Sequence, residues 1–105
     1  MKAWPLLLFL LLPCAPALAQ DVNTVGRSLA ATCANCHGTH GRPRGTALPP
    51  LAGMKADVML ELLDDYRSGR QPGTVMPQIV KGYTPEQLRL VAAYFSALPA
   101  AQARP

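Results

Sequence analysis

The chain has 105 residues and a formal net charge of +4, with 10 Lys and Arg against 6 Asp and Glu, and half of its residues are hydrophobic. That length allows one small domain with a thin core, a size that commonly relies on a disulfide, metal or cofactor as a staple. The excess of positive charge is slight and no basic run interleaves with aromatics, so nucleic acid is not an expected partner.

The first stretch reads as a leader to be removed. Met1-Lys2 forms a short positive region, Leu6 to Leu12 an apolar run, and Ala17-Leu18-Ala19 a small-residue cleavage site, which predicts a secretory signal over residues 1–19 cut before Gln20. The apolar run falls well short of the roughly 20 residues a membrane span needs, so no span is expected. A lipoprotein signal would make Cys14 the first mature residue, but Pro13 stands where such signals carry a small residue. Removal of residues 1–19 takes away Lys2 and Cys14, leaving Cys33 and Cys36 as the thiols of a domain over residues 20–105. An exported protein is expected to work in the periplasm.

Asp21 to Cys36 reads as the first helix, with Val22, Val25 and Leu29 at helical spacing and Asp21 or Asn23 as a cap. Its end carries Cys33-Ala34-Asn35-Cys36-His37, the C-x-x-C-H spacing of covalent haem attachment. Residues three apart near a helix end bring the two sulfurs to one face, where each can form a thioether to a vinyl group. His37 follows at once and can serve as the proximal iron ligand. A zinc site would need a second Cys or His pair at ligand spacing. A thioredoxin-like pair would need a surrounding βαβ pattern, and a plain disulfide is the remaining alternative.

Gly38 to Pro50 is rich in Gly and Pro and reads as a loop around the proximal side. A ligating imidazole needs its second nitrogen satisfied, and a carbonyl within Leu48-Pro49-Pro50 is the candidate. Met54 or Lys55 through Ser68 reads as the second helix. Val58, Leu62 and Tyr66 form its stripe, joined by Met59 and Leu63; Asp57, Glu61, Asp64 and Asp65 face outward, and Gly69 ends it. Arg67 and Arg70 suit its C-terminal dipole. Gln71 to Tyr83 reads as a second loop. The last helix opens on Thr84 as N-cap, with Pro85 at the first position and Gln87 completing a capping box. Leu88, Val91, Tyr94 and Phe95 are its apolar stripe, Pro99 stops it, and Ala100 to Pro105 reads as a frayed tail. With no convincing strand, the fold class is all-α with three main helices.

One axial position remains after His37. Met59 lies on an apolar helix stripe and reads as core. Met54 follows the proximal loop with little slack, and His40 is too close to His37 to reach the opposite face. Met76, in the second loop and followed by Pro77, has enough chain to pass the haem edge and is the expected sixth ligand. A His/Met pair leaves no open coordination site and suits electron transfer.

Cys33 to Gly41, reading CANCHGTHG, together with Pro49, Leu51-Ala52-Gly53 and Met76, resembles a small class I cytochrome c. The stretch Thr74-Val75-Met76-Pro77-Gln78-Ile79-Val80-Lys81-Gly82-Tyr83-Thr84, with Tyr94-Phe95, is similar to the haem subunit of flavocytochrome c sulfide dehydrogenases. The resemblance covers roughly Val25 to Ser96. It implies a small all-α fold wrapped around one covalent haem c, attached at Cys33 and Cys36 and ligated by His37 and Met76, with the Pro49 carbonyl supporting His37. It also implies a non-catalytic electron-transfer role, docked on an FAD-containing subunit that oxidises sulfide, with electrons passed to a soluble acceptor. A free-standing periplasmic shuttle between redox enzymes is the alternative, and a haem enzyme or gas sensor is a third possibility that requires an open iron. Arg42 and Arg44 either solvate their loop or meet a propionate or an acidic partner. No role is assigned to Tyr83.

Overall fold

The computed structural model describes residues 22–102, so the leader predicted over 1–19, with Cys14, lies outside the described residues. Four helices order the described residues: α1 (Val22–His37), α2 (Ala56–Ser68), α3 (Met76–Lys81) and α4 (Pro85–Ser96), with a 3-10 turn at Thr39–Gly41. No strand occurs among the described residues. The all-α expectation holds.

The α1–α4 pairing is the backbone of the domain, and α2 packs on both α4 and α3. Gly26 makes the α1–α4 crossing close. A Cβ there would lie 2.6 Å from the Leu90 carbonyl oxygen and 3.2 Å from Tyr94 Cβ. Glycine inside a helix costs about 1 kcal/mol relative to alanine, a cost offset here by letting two backbones meet. Around the crossing, Ala30, Met59, Val91, Ala92, Tyr94 and Phe95 form the buried core.

The helix termini follow the sequence closely. At α4, Gln87 N–H donates to Thr84 Oγ1 (3.1 Å) and Thr84 N–H donates to Gln87 Oε1 (2.9 Å), with Pro85 in the first turn. At α2, Lys55 precedes the first turn, Asp57 Oδ1 accepts from Val58 N–H (2.9 Å), and Gly69 ends the helix at φ 83°. α1 runs one residue beyond its predicted end and includes His37.

Three expectations change. The stretch 71–83 is not wholly loop, because Met76–Lys81 forms α3, begun by Pro77 and ended at Gly82. Six residues are too few to register a helical period in sequence, so the Gly and Pro on either side dominate the reading. On α2, Met59 is buried deepest at 4 % exposure, while Val58 stays 42 % exposed. The buried face is therefore turned by about one residue, because Met59 inserts into the core shared with α4. The segment after Pro99 is docked over its first residues: Ala101 N–H donates to Ala52 O (3.4 Å), and Ala100 packs against Gly53.

Candidate functional site

A cleft between α1, α2, α3 and α4 holds a cavity of about 180 Å³ and opens in part to solvent. Protein interiors pack to the density of organic crystals, with few voids larger than a water, so a void this large and apolar in a domain this small is the seat of a bulky apolar group. Its lining is almost wholly hydrophobic, including Leu51, Leu63, Ile79, Val80, Leu88, Val91 and Phe95. Cys33, Cys36, His37 and Met76 all line this one cleft.

The proximal side is assembled from a short continuous segment. α1 carries Cys33, Cys36 and His37, and its last turn closes with Gly38 N–H donating to Ala34 O (3.1 Å). Gly41 then gathers the loop that follows. Its carbonyl accepts from Leu51 N–H (2.9 Å) and Ala52 N–H (3.2 Å), drawing residues 41–51 into a closed turn. That turn sets the Pro49 carbonyl 2.8 Å from His37 Nδ1, as the proximal-carbonyl expectation requires. A carbonyl only accepts, so Nδ1 carries the proton and Nε2 is the nitrogen with a free lone pair. His37 is 9 % exposed. Its tautomer and ring plane are thus fixed before any ligation, the arrangement metal-binding imidazoles use.

The two sulfurs sit differently. Cys36 is exposed, whereas Cys33 is half-buried and packs against the core, and burial pushes its thiol pKa up. No disulfide joins them. Among the described residues, no group of three or more His, Cys, Asp or Glu side chains is placed to hold a metal ion. The chemistry of the lining suits a large flat apolar group held by two sulfurs and an imidazole.

The part of the cleft that carries Met76 is built differently. Met76 is the first residue of α3, and α3 is bound to α2 through Arg67, whose Nη2 donates to Val80 O (3.2 Å) and Tyr83 O (2.7 Å). Tyr83 OH in turn donates to Leu29 O of α1 (3.1 Å). Arg67 was expected only as a charge suited to the helix end. A signal for its role was available, since Met59, Leu63 and Arg67 follow each other at four-residue spacing on one side of α2.

The remaining candidates are placed as follows. Met54 and Met59 line the same cleft as Met76. His40 does not line the cleft; its Nδ1 lies 2.7 Å from Tyr94 OH, in a left-handed backbone conformation (φ 54°). Arg42 does not line it either, because its Nη2 donates to Pro99 O (2.7 Å) and ties the loop to the C-terminal segment. Arg44 is exposed outside the cleft. On the outer face of α2, Arg70 pairs with Asp64 (2.7 Å) and Asp65 (2.6 Å), which neutralises part of the acidic surface.

Comparison with known proteins places these residues in context. The family model described as cytochrome c matches residues 24–99. The chain is 35 % identical over 83 residues to the cytochrome subunit of sulfide dehydrogenase of Chlorobaculum tepidum, covering 79 % of this chain and 74 % of that protein. It is 35 % identical over 104 residues to the thiosulfate dehydrogenase electron acceptor of Stutzerimonas stutzeri, covering 92 % of this chain but 48 % of that longer protein. Cytochrome c-553 of Nitratidesulfovibrio vulgaris is 33 % identical over 86 residues, covering 78 % of this chain and 80 % of its own length. No helix among the described residues is long and apolar enough to cross a membrane.

Proposed function

The chain belongs to the cytochrome c family and carries one covalent haem c, and we propose that it is the periplasmic cytochrome subunit that takes electrons from an FAD-containing sulfide dehydrogenase subunit and passes them to a soluble acceptor. The observation that carries this reading is that Cys33, Cys36, His37 and Met76 line the same apolar cleft, in a chain similar to a sulfide dehydrogenase cytochrome subunit over 79 % of its length. The protein is an electron-transfer protein of all-α class I type. The haem, when bound, supplies a one-electron iron couple, which a His/Met axial pair poises at high potential.

The chain's own residues divide the work. Cys33 and Cys36 would hold the group covalently, and His37 would ligate through Nε2 while Pro49 holds its Nδ1 proton. Met76 would supply the second iron ligand. Met59 is committed to the core at 4 % exposure. Met54 directly continues the turn that supports His37, its N–H donating to Leu51 O (3.1 Å), so it has little slack to serve a different side from His37. Met76 comes from a separate helix with its own anchors. The largely apolar lining would limit the water beside a bound haem, so little solvent would have to reorganise when the charge on the iron changes. Residues 1–19 would direct export and be removed after Ala19.

Purification from native periplasm tests the assignment. A flavin-containing partner should co-elute with the cytochrome, and sulfide added to that complex should reduce the haem without another protein. Recovery as a free monomer, with reduction by several unrelated donors at salt-dependent rates, would favour a free-standing shuttle.

A further inference from the structure

The helix that presents Met76 cannot hold itself in place. α3 has six residues and no side-chain cap at its N-terminus, and isolated helices much longer than this are marginal in water. Its orientation therefore comes from tertiary anchors. One is Val80, 1 % exposed. The others are polar and converge on the segment from Val80 to Tyr83. The Arg67 guanidinium bridges the Val80 and Tyr83 carbonyls at 3.2 and 2.7 Å, spanning the exit of α3 from a half-buried position. Tyr83 OH donates to Leu29 O at 3.1 Å. Leu29 lies one helical turn before Cys33, so in α1 its carbonyl is the acceptor for the Cys33 N–H. The exit of α3 is thus bonded to α2 on one side and, on the other, to the turn of α1 that carries the first attachment cysteine.

We propose that Arg67 and Tyr83 are positioning residues that hold the Met76 sulfur on the iron, a role that rests on Met76 being the axial ligand. Arg67 lies outside the cleft and Tyr83 borders it; both act on Met76 through the chain from Val80 to Tyr83 that closes α3. Each removes a degree of freedom that would let α3 swing away while the rest of the domain stays folded. A bridging guanidinium suits this task because its donors lie in a fixed plane and it stays charged at all working pH values, and hydrogen bonds from a charged donor are the stronger kind.

The test uses the holoprotein and the variants Arg67→Met, Tyr83→Phe and Met76→Ala. Three readouts are followed: the thioether-to-ferric-iron absorption band, helix content on warming, and carbon monoxide binding to the reduced protein. In Arg67→Met and Tyr83→Phe the band should fade at a lower temperature than the helices melt, opening a gap absent from the native protein. Carbon monoxide should bind about ten-fold faster in Tyr83→Phe, the scale expected on losing one hydrogen bond, and at least that much faster in Arg67→Met, which loses two. Arg67→Lys should recover part of the band's thermal persistence. If band and helices retreat together, or carbon monoxide binding is unchanged, the two residues are merely structural and the proposal fails. If Arg67→Met gives no holoprotein, Tyr83→Phe, which removes one oxygen, decides on the same criteria. Met76→Ala separates the two claims: retention of the band in that variant would overturn the ligand reading itself, whereas its loss there with no change in Arg67→Met and Tyr83→Phe would overturn only the positioning role.

Discussion

The two faces of the cleft are built by opposite strategies. On the proximal face, the attachment sulfurs, the imidazole and the supporting carbonyl all come from one run of chain, Cys33 to Pro49, closed on itself by the Gly41 carbonyl. On the other face, Met76 sits on a six-residue helix held by an arginine from α2 and a tyrosine reaching α1. Local construction makes the position of His37 robust to changes elsewhere. If Met76 is the second ligand, as proposed, construction from distant anchors makes it the part of the site expected to yield first.

The largest expected effect lies on the proximal face. His37→Ala should abolish accumulation of a stable holoprotein, checked by the haem absorbance of purified material. Normal yield with an unchanged spectrum would remove the proximal half of the comparison. Next comes Gly26, on which both faces depend because it sets the α1–α4 crossing. Gly26→Val places side-chain atoms where the Leu90 carbonyl and Tyr94 already stand, and overpacking of this kind costs about 2–3 kcal/mol. Thermal melting should report a fall of roughly 10–20 °C for a domain of this size. The smallest effect is at Thr84. Thr84→Ala removes the capping box of α4 at a cost of about 1 kcal/mol, and the haem spectrum should not move, because the cap lies outside both faces of the site.

The same contrast governs what could be read in the sequence. The proximal face was legible because its chemistry is written in adjacent residues: C-x-x-C-H, then a Gly- and Pro-rich turn with a carbonyl at the right distance. The α4 cap was legible for the same reason, since Thr84, Pro85 and Gln87 form a local rule. α3 was missed because a six-residue helix has no period to detect. The partners of Arg67 lie 13 and 16 residues away, and Tyr83 meets Leu29 across 54 residues. Such contacts have no local signature, although an arginine in register with Met59 and Leu63 is a hint. Arg42 points to the C-terminal segment for a similar reason: its acceptor, the Pro99 carbonyl, is distant in sequence.

Met76 is where the central claim of a closed His/Met iron is exposed most directly. Its test is carbon monoxide binding to the reduced protein at neutral pH, native beside Met76→Ala, with the thioether-to-ferric-iron band recorded on the oxidised forms. A closed axial pair predicts a native protein that shows the band and binds carbon monoxide poorly, and a variant that loses the band, binds quickly and has a lowered reduction potential. Rapid binding by the native protein, or a variant whose band and potential match the native ones, would contradict it.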